Sequence, residues 1–137
     1  MILADTSIWI DHFRSASLRS KNPSSRNNDL RQRLNEGQIV IHPAIIAELA
    51  LGSLQGCTMK DRTKTLALLD LLPQVQVAHQ SEVRRMIESR HLYNLGIGLT
   101  DAHLIASVLL NPSTQLWTRD TPLRKAAESL GIHAGLA

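Results

Sequence analysis

Residues 2–10, with the sequence ILADTSIWI, decide the fold of this chain. A short apolar run meets an acidic, hydroxyl-bearing turn at residues 5–7, and apolar residues then return at helical spacing. This order predicts a strand, a turn and a helix. Short strands that alternate with helices indicate a parallel sheet, because parallel strands need long crossover connections.

The same alternation continues along the chain. Helices are predicted over residues 28–35, 43–54, 61–72, 81–94, 101–110 and 122–130, and strands over residues 38–41, 75–77, 115–118 and 132–133. Asn28 and Thr100 are predicted helix caps, and Gly131 ends the last helix. Right-handed crossovers place helices on both faces of such a sheet. The polar, basic stretch 14–28 is predicted to be a flexible loop.

Length and composition narrow the class of protein. The chain has 137 residues, which predicts one domain over residues 1–137, and its 43% hydrophobic content excludes a disordered or fibrous protein. The single Cys57 excludes an internal disulfide, which suits a cytoplasmic protein. The start of the chain predicts no secretory signal, and the longest uncharged run, residues 102–118, is shorter than the roughly 20 residues that a membrane-spanning helix needs.

Carboxylates occur where a parallel sheet places its functional crevice, beyond the carboxyl ends of the strands. Asp5 and Asp120 each follow a predicted strand, Asp101 opens a helix, and Glu48 lies in an otherwise uncharged helix. Each acid alone has an ordinary explanation. Asp5 and Asp120 are typical cap or turn residues, Asp101 suits the helix dipole, and Glu48 suits an exposed position on a mostly buried helix.

The four acids together indicate more than any one of them. Carboxylates gathered at one edge of a sheet repel each other and raise each other's pKa values unless a cation neutralises them. Mg²⁺ and Mn²⁺ prefer oxygen ligands, and substrate phosphate completes their coordination shell. Such an ion activates water against a phosphodiester. The pattern therefore predicts metal-assisted phosphodiester hydrolysis.

Four segments resemble the acidic motifs of PIN-domain nucleases, in order and with usual intervals. They are ILADTSIWID at the start, AIIAELALG around Glu48, GIGLTDAHLIAS around Asp101 and LWTRD ending at Asp120. The resemblance covers nearly the whole chain, and the length matches stand-alone PIN domains of the VapC toxin type. It implies a three-layer α/β/α sandwich on a parallel sheet of about five strands, and an Mg²⁺- or Mn²⁺-dependent ribonuclease, a hydrolase acting on tRNA or other structured RNA. It also implies a homodimer and a VapB-like antitoxin that blocks the active site.

The resemblance also implies roles for individual residues. The acidic positions, which would bind the metal and its attacking water, correspond to Asp5, Glu48, Asp101 and Asp120. Ser7 and Thr118 match positions whose hydroxyls hold the carboxylates in place, although a cap or strand-end hydroxyl explains them equally well. His103 departs from the family, which usually has a small or aliphatic residue there. No His or Cys spacing indicates a zinc site.

The basic residues are concentrated early in the chain. Overall the chain has 15 Lys and Arg against 12 Asp and Glu, a net charge of +3. Four of the early cations are candidates for binding RNA phosphates, although a solvated surface explains them too: Arg14, Arg19, Lys21 and Arg26. Aromatic residues make up only 3% of the chain, so the multi-aromatic platforms of common RNA-binding folds are not expected and RNA binding is predicted to rest on charge.

Two alternatives stay open from the sequence. A phosphoacceptor receiver domain is also a small α/β module with acids at strand ends, but it needs an acceptor Asp after the third strand, where this chain has Ala78 and His79. A non-catalytic RNA-binding subunit with the same fold is the other alternative. Such a subunit would not need to keep all four acids, so their presence together argues against it.

Overall fold

The computed structural model describes residues 1–17, 25–54 and 58–137. In this part of the chain three strands alternate with seven α-helices. In chain order they are β1 (Ile2–Ala4), α1 (Thr6–Ser17), α2 (Ser25–Asn35), β2 (Ile39–Val40), α3 (Pro43–Glu48), α4 (Met59–Asp70), α5 (Gln80–Ser89), α6 (Leu99–Leu110), β3 (Gln115–Trp117) and α7 (Thr121–Ser129). One turn of π-helix, Leu49–Ser53, continues α3.

The sheet has the order β2-β1-β3, and both strand pairs are parallel. Leu3 of β1 lies opposite Val40 on one side and Leu116 on the other. A helix follows each of the three strands, as expected where parallel strands are joined by crossover connections. The predicted α/β/α class with a parallel sheet, of the PIN-domain type, is therefore confirmed.

The number of strands is lower than predicted. The segments predicted as strands at 75–77 and 132–133 each contribute one parallel bridge, Gln74 to Ile41 and His133 to Leu116. Each segment touches the sheet edge around a single residue. At one edge, for example, Ile41 donates to the Pro73 carbonyl and accepts from Val75 N. The chain then leaves the sheet, so no ladder develops.

Several helix ends differ from the prediction. The predicted loop 14–28 is helical at both ends, since α1 runs through Ser17 and α2 starts at Ser25, while residues 18–24 lie outside the described part. Because α2 begins before Asn28, that residue is not its cap. Helix α5 ends at Ser89 rather than residue 94, because His91 has a left-handed backbone with φ 54°. The N-cap of α6 is Gly98, not Thr100. Gly98 N donates a hydrogen bond to the carboxylate of Asp101, in the first turn of the helix.

The core lies on both sides of the sheet. Leu3, Leu116 and Trp117 on the strands and Leu104 and Ile105 on α6 are almost fully buried. Helix α6 is therefore buried over most of its circumference, and it brings Asp101, near its start, to the carboxyl edge of the sheet. Among the described helices, none is both long and apolar enough to cross a membrane.

Shortening a side chain of the central strand tests this core. Leu3→Ala removes buried methyl groups from a fully buried position and leaves a cavity, so we expect the free energy of unfolding to fall by about 2–5 kcal/mol. The matched control is Leu68→Ala on α4, where the side chain is 57% exposed and we expect a change within about 0.5 kcal/mol. Urea denaturation measures both. Equal losses in the two variants would contradict the burial described above.

Candidate active site

Asp5 lies directly after β1, and its carboxylate is buried with both oxygens bonded. Its Oδ1 accepts hydrogen bonds from Ser7 N at 3.0 Å and Ser7 Oγ at 2.5 Å. Its Oδ2 accepts from Thr118 Oγ1 at 2.6 Å. Because all these groups donate, they favour the ionised carboxylate and fix its orientation.

The same hydroxyls connect the ends of β1 and β3. Thr118 Oγ1 accepts from Asp120 N at 3.0 Å, and Ser7 Oγ accepts from Arg119 N at 3.0 Å. Each hydroxyl thus donates to Asp5 and accepts from the segment after β3. The strand ends, which are far apart in sequence, are held together through one carboxylate.

Glu48 is the last residue of α3, and its side chain is half-buried. Its Oε2 accepts a hydrogen bond from Thr6 Oγ1 at 2.5 Å. The sequence analysis missed Thr6. The available signal was its hydroxyl next to Asp5 in the turn after β1, but a Thr at a helix start is ordinary. The π-helical turn begins directly after Glu48, a feature often found at functional sites.

The carboxylates of Asp101 and Asp120 each accept a hydrogen bond from a backbone N–H at the start of a helix. Asp101 Oδ2 accepts from Gly98 N at 3.2 Å at the start of α6. Asp120 is the N-cap of α7, and its Oδ2 accepts from Leu123 N at 3.1 Å. The capping role that explains each acid alone is therefore present. In each acid, only the Oδ2 atom takes part in this capping hydrogen bond.

The four carboxylates influence one another electrostatically. The pKa of Asp101 is raised, first by partial burial and further by the negative charges of Asp120 and Glu48. Burial also raises the pKa of Asp5, against the hydrogen bonds from Ser7 and Thr118, and the charge of Asp101 raises it further. Asp101 therefore repels all three of the other acids. The structure brings the four predicted acids around one place.

The fit to a metal ion depends on how many ligands the ion takes from the protein. Within residues 1–17, 25–54 and 58–137, no three His, Cys, Asp or Glu side chains are close enough to hold one ion together. Mg²⁺ usually keeps several waters and takes only one or two carboxylates directly, with substrate phosphate completing the shell. The set of oxygen donors, which repel each other without a cation, fits a hydrated ion of this kind.

Two histidines, one directly before α3 and one on α6, lie next to each other. The rings of His42 and His103 have centroids 6.3 Å apart, and His42 is buried. His42 Nδ1 accepts from Ala44 N at 3.0 Å and so caps α3. Burial lowers the pKa of His42, and the neighbouring His103 lowers it further. A neutral capping imidazole accounts for His42 at this position.

The predicted RNA-binding cations are described only in part. Arg14 is exposed in the last turn of α1. Arg26 lies on α2, and Arg19 and Lys21 lie outside the described residues. The structure adds a cation that the sequence analysis did not single out, Arg119, whose guanidinium pairs with Asp11 of α1 at 2.8 Å and lies over the Trp117 ring.

This chain is similar in sequence to known ribonucleases and in fold to a solved structure. The protein is 39% identical to "Ribonuclease VapC32" of Mycobacterium tuberculosis, in strains CDC 1551 / Oshkosh and ATCC 25618 / H37Rv, over 96% of this chain and 94% of the relative. The solved structure of FitAcB from Neisseria gonorrhoeae shares the fold, with a TM-score of 0.59 at 20% identity over 93% of this chain and 94% of that one. Residues 2–129 match the model of the PIN domain. The chain therefore belongs to the PIN-domain family.

Proposed function

We propose that this protein is a divalent-metal-dependent endoribonuclease, a toxin that hydrolyses phosphodiester bonds in tRNA or other structured RNA. The observation that carries the proposal is the convergence of four carboxylates. Burial raises the pKa of Asp5 and of Asp101; the charge of Asp101 raises the pKa of Asp5 further, and the charges of Asp120 and Glu48 raise the pKa of Asp101 further. Such a cluster disfavours the folded state unless something positive occupies it. The relative named Ribonuclease VapC32, which aligns along nearly the whole chain, supports the same activity.

The proposed metal ligands are drawn from Asp5, Glu48, Asp101 and Asp120. Asp5 is the most rigid of them, because Ser7 and Thr118 fix both of its oxygens. Asp101 and Asp120 each use Oδ2 for a backbone N–H, and no other described residue bonds their Oδ1 atoms, which leaves these free for an ion or its waters. Mg²⁺ or Mn²⁺, when bound, lowers the pKa of a water and stabilises negative charge on the phosphate.

Glu48 is suited to holding a water or its proton. Thr6 donates to Oε2, which restrains the carboxylate, and no hydrogen bond from the described residues occupies Oε1. A positioned carboxylate within reach of an attacking water acts as a general base. The hydroxyls of Thr6, Ser7 and Thr118 thus perform one task, which is to hold carboxylates in place before substrate arrives.

The partners follow from the family and the relative. We propose a cognate VapB-like antitoxin that covers the carboxylates, a homodimeric protein, and a cytoplasmic location, where tRNA is available. Arg14 at the end of α1, with Arg19, Lys21 and Arg26 beyond it in sequence, would contact RNA phosphates.

Neutralising one acid tests the proposed activity. We expect Asp101→Asn to lower the rate of Mg²⁺-dependent cleavage of total bacterial RNA by about 100-fold or more, because it removes a charge that holds the ion. The matched control is Asp70→Asn, an exposed acid on α4, which should cleave at the wild-type rate. Cleavage by the wild type that persists in EDTA would overturn the metal mechanism. Binding of RNA without cleavage would favour the non-catalytic subunit.

Removing a hydroxyl tests whether Asp5 must be held in place. Thr118→Val keeps the shape of the side chain but removes the donor to Asp5 Oδ2. We expect about a 10- to 100-fold loss of cleavage, a higher Mg²⁺ concentration at half-maximal rate, and rescue by Thr118→Ser. If Thr118→Val and Thr118→Ser lose activity equally, the loss comes from altered packing and not from the missing hydroxyl.

The raised pKa of Asp101 predicts a pH-dependent stability. The folded protein binds the Asp101 proton more tightly than the unfolded chain, so this group favours folding at low pH and disfavours it as pH rises through its folded pKa. In metal-free buffer, Asp101→Asn should therefore be more stable than wild type at pH 7, with a smaller difference at pH 4. Urea denaturation at the two pH values measures this. A variant less stable at pH 7 would contradict it.

A further inference from the structure

The segment from Arg90 to Gly98 joins α5 to α6, and we call it the connecting loop. Its backbone is left-handed at His91, Asn94 and Gly96, with φ values of 54°, 61° and 78°. Residues other than glycine rarely adopt this backbone conformation, yet two of these three residues are not glycine. Unfavourable backbone of this kind is concentrated at functional sites.

His91 occupies the position where a helix usually ends with glycine. Its N–H donates to the Glu88 carbonyl at 3.3 Å, and Leu92 N donates to the Ile87 carbonyl at 3.0 Å, the two bonds of a Schellman motif. Glycine would serve this turn better, so the backbone does not explain the imidazole. The imidazole instead contacts the next aromatic residue, since its Nδ1 lies 3.1 Å from the Tyr93 hydroxyl.

Tyr93 is held at the surface. Its side chain is 50% exposed, while Leu92 before it is buried and anchors the loop. The His91 and Tyr93 rings are nearly perpendicular, with an interplanar angle of 84° and centroids 5.9 Å apart. The Trp and Phe side chains of the described residues are buried or half-buried, so Tyr93 is the exposed one among the described Phe, Trp and Tyr residues.

The connecting loop adjoins the carboxylates at two points. Gly98 N donates to Asp101. Gly96 packs on Pro122, two residues after Asp120, where an added Cβ would lie 3.7 Å from the proline ring. Tyr93 is three residues before Gly96, so its Cα lies within about 11 Å of that contact.

Helix α5 brings positive charge to the same loop. Arg84, Arg85 and Arg90 are exposed, and none of them forms an ion pair with a carboxylate of the described residues, although Glu82 and Glu88 lie on the same helix. Arg90 directly precedes His91. Arg90 lies three residues before Tyr93, so the connecting loop carries both a cation that can bind a phosphate and an aromatic face that can stack on a base.

We propose that Tyr93, oriented by His91, stacks against an unpaired nucleobase of the RNA bound at the four carboxylates. This inference rests on the proposed ribonuclease function. Stacking accepts every base, because each has a flat π face, so Tyr93 contributes affinity and placement rather than sequence readout. A base inside a duplex is already stacked and is not available to Tyr93. The proposal therefore predicts a preference for RNA with an unpaired loop.

The test measures RNA binding in EDTA, where no cleavage occurs, by fluorescence anisotropy with a labelled hairpin and a fully paired duplex. Tyr93→Leu keeps an apolar side chain but removes the aromatic face, and we expect hairpin affinity to fall by about 5- to 150-fold with duplex affinity unchanged. Tyr93→Phe keeps the face and should stay within about threefold of wild type.

His91→Gly separates positioning from folding. Glycine suits the left-handed turn, so the melting temperature should not fall, yet hairpin affinity should drop because Tyr93 loses its contact. Wild-type affinity in this variant would remove His91 from the proposal.

The outcomes distinguish this inference from the function on which it rests. If wild type cleaves RNA and Tyr93→Leu binds the hairpin as tightly as Tyr93→Phe, the stacking proposal is wrong and the ribonuclease stands. An equal loss on hairpin and duplex also overturns stacking. Loss of antitoxin binding alone assigns the surface to a protein partner instead. A wild type that binds no RNA contradicts both proposals.

Discussion

The site depends on one buried carboxylate and on the groups that donate hydrogen bonds to it. Burial opposes the charge of Asp5, and a buried charge without partners would be strongly destabilising. Ser7 and Thr118 offset part of this cost with hydrogen bonds, and the Thr118 bond also joins the end of β1 to the segment after β3. The geometry of the crevice is therefore a consequence of satisfying Asp5, and Arg119 and Asp120 are placed through the same two hydroxyls.

The other acids show how a fold tolerates a charge cluster. Asp101 and Asp120 each stabilise the start of a helix, which offsets part of the repulsion they create. Their structural role and the proposed chemical role are therefore compatible, because one oxygen bonds the helix start and the other accepts no hydrogen bond from the described residues. Glu48 reaches the crevice differently, from the last turn of α3 just before the π-helical turn.

The sequence predicted the edge of the sheet well and the contacts at that edge less well. The locations of Asp5 and Asp120 followed from short apolar runs, because the carboxyl ends of parallel strands must meet at one edge. Thr6 was missed because its bond to Glu48 joins residues that no local pattern relates. The outer strands were overpredicted, since a short apolar run does not reveal whether one bridge or a ladder forms. The end of α5 was misplaced because His91 stands where glycine usually signals a stop.

The chain order of the sheet has a consequence for synthesis. The middle strand β1 precedes its neighbour β3 by most of the described residues, and Asp5 and Thr118 are separated by 113 positions. Contacts this distant in sequence form late in folding, because the intervening chain must first be closed into a loop. During synthesis Asp5 therefore has the Ser7 hydroxyl beside it early but lacks the Thr118 hydroxyl until β3 has been made. A nascent chain that has not reached Thr118 carries no assembled crevice.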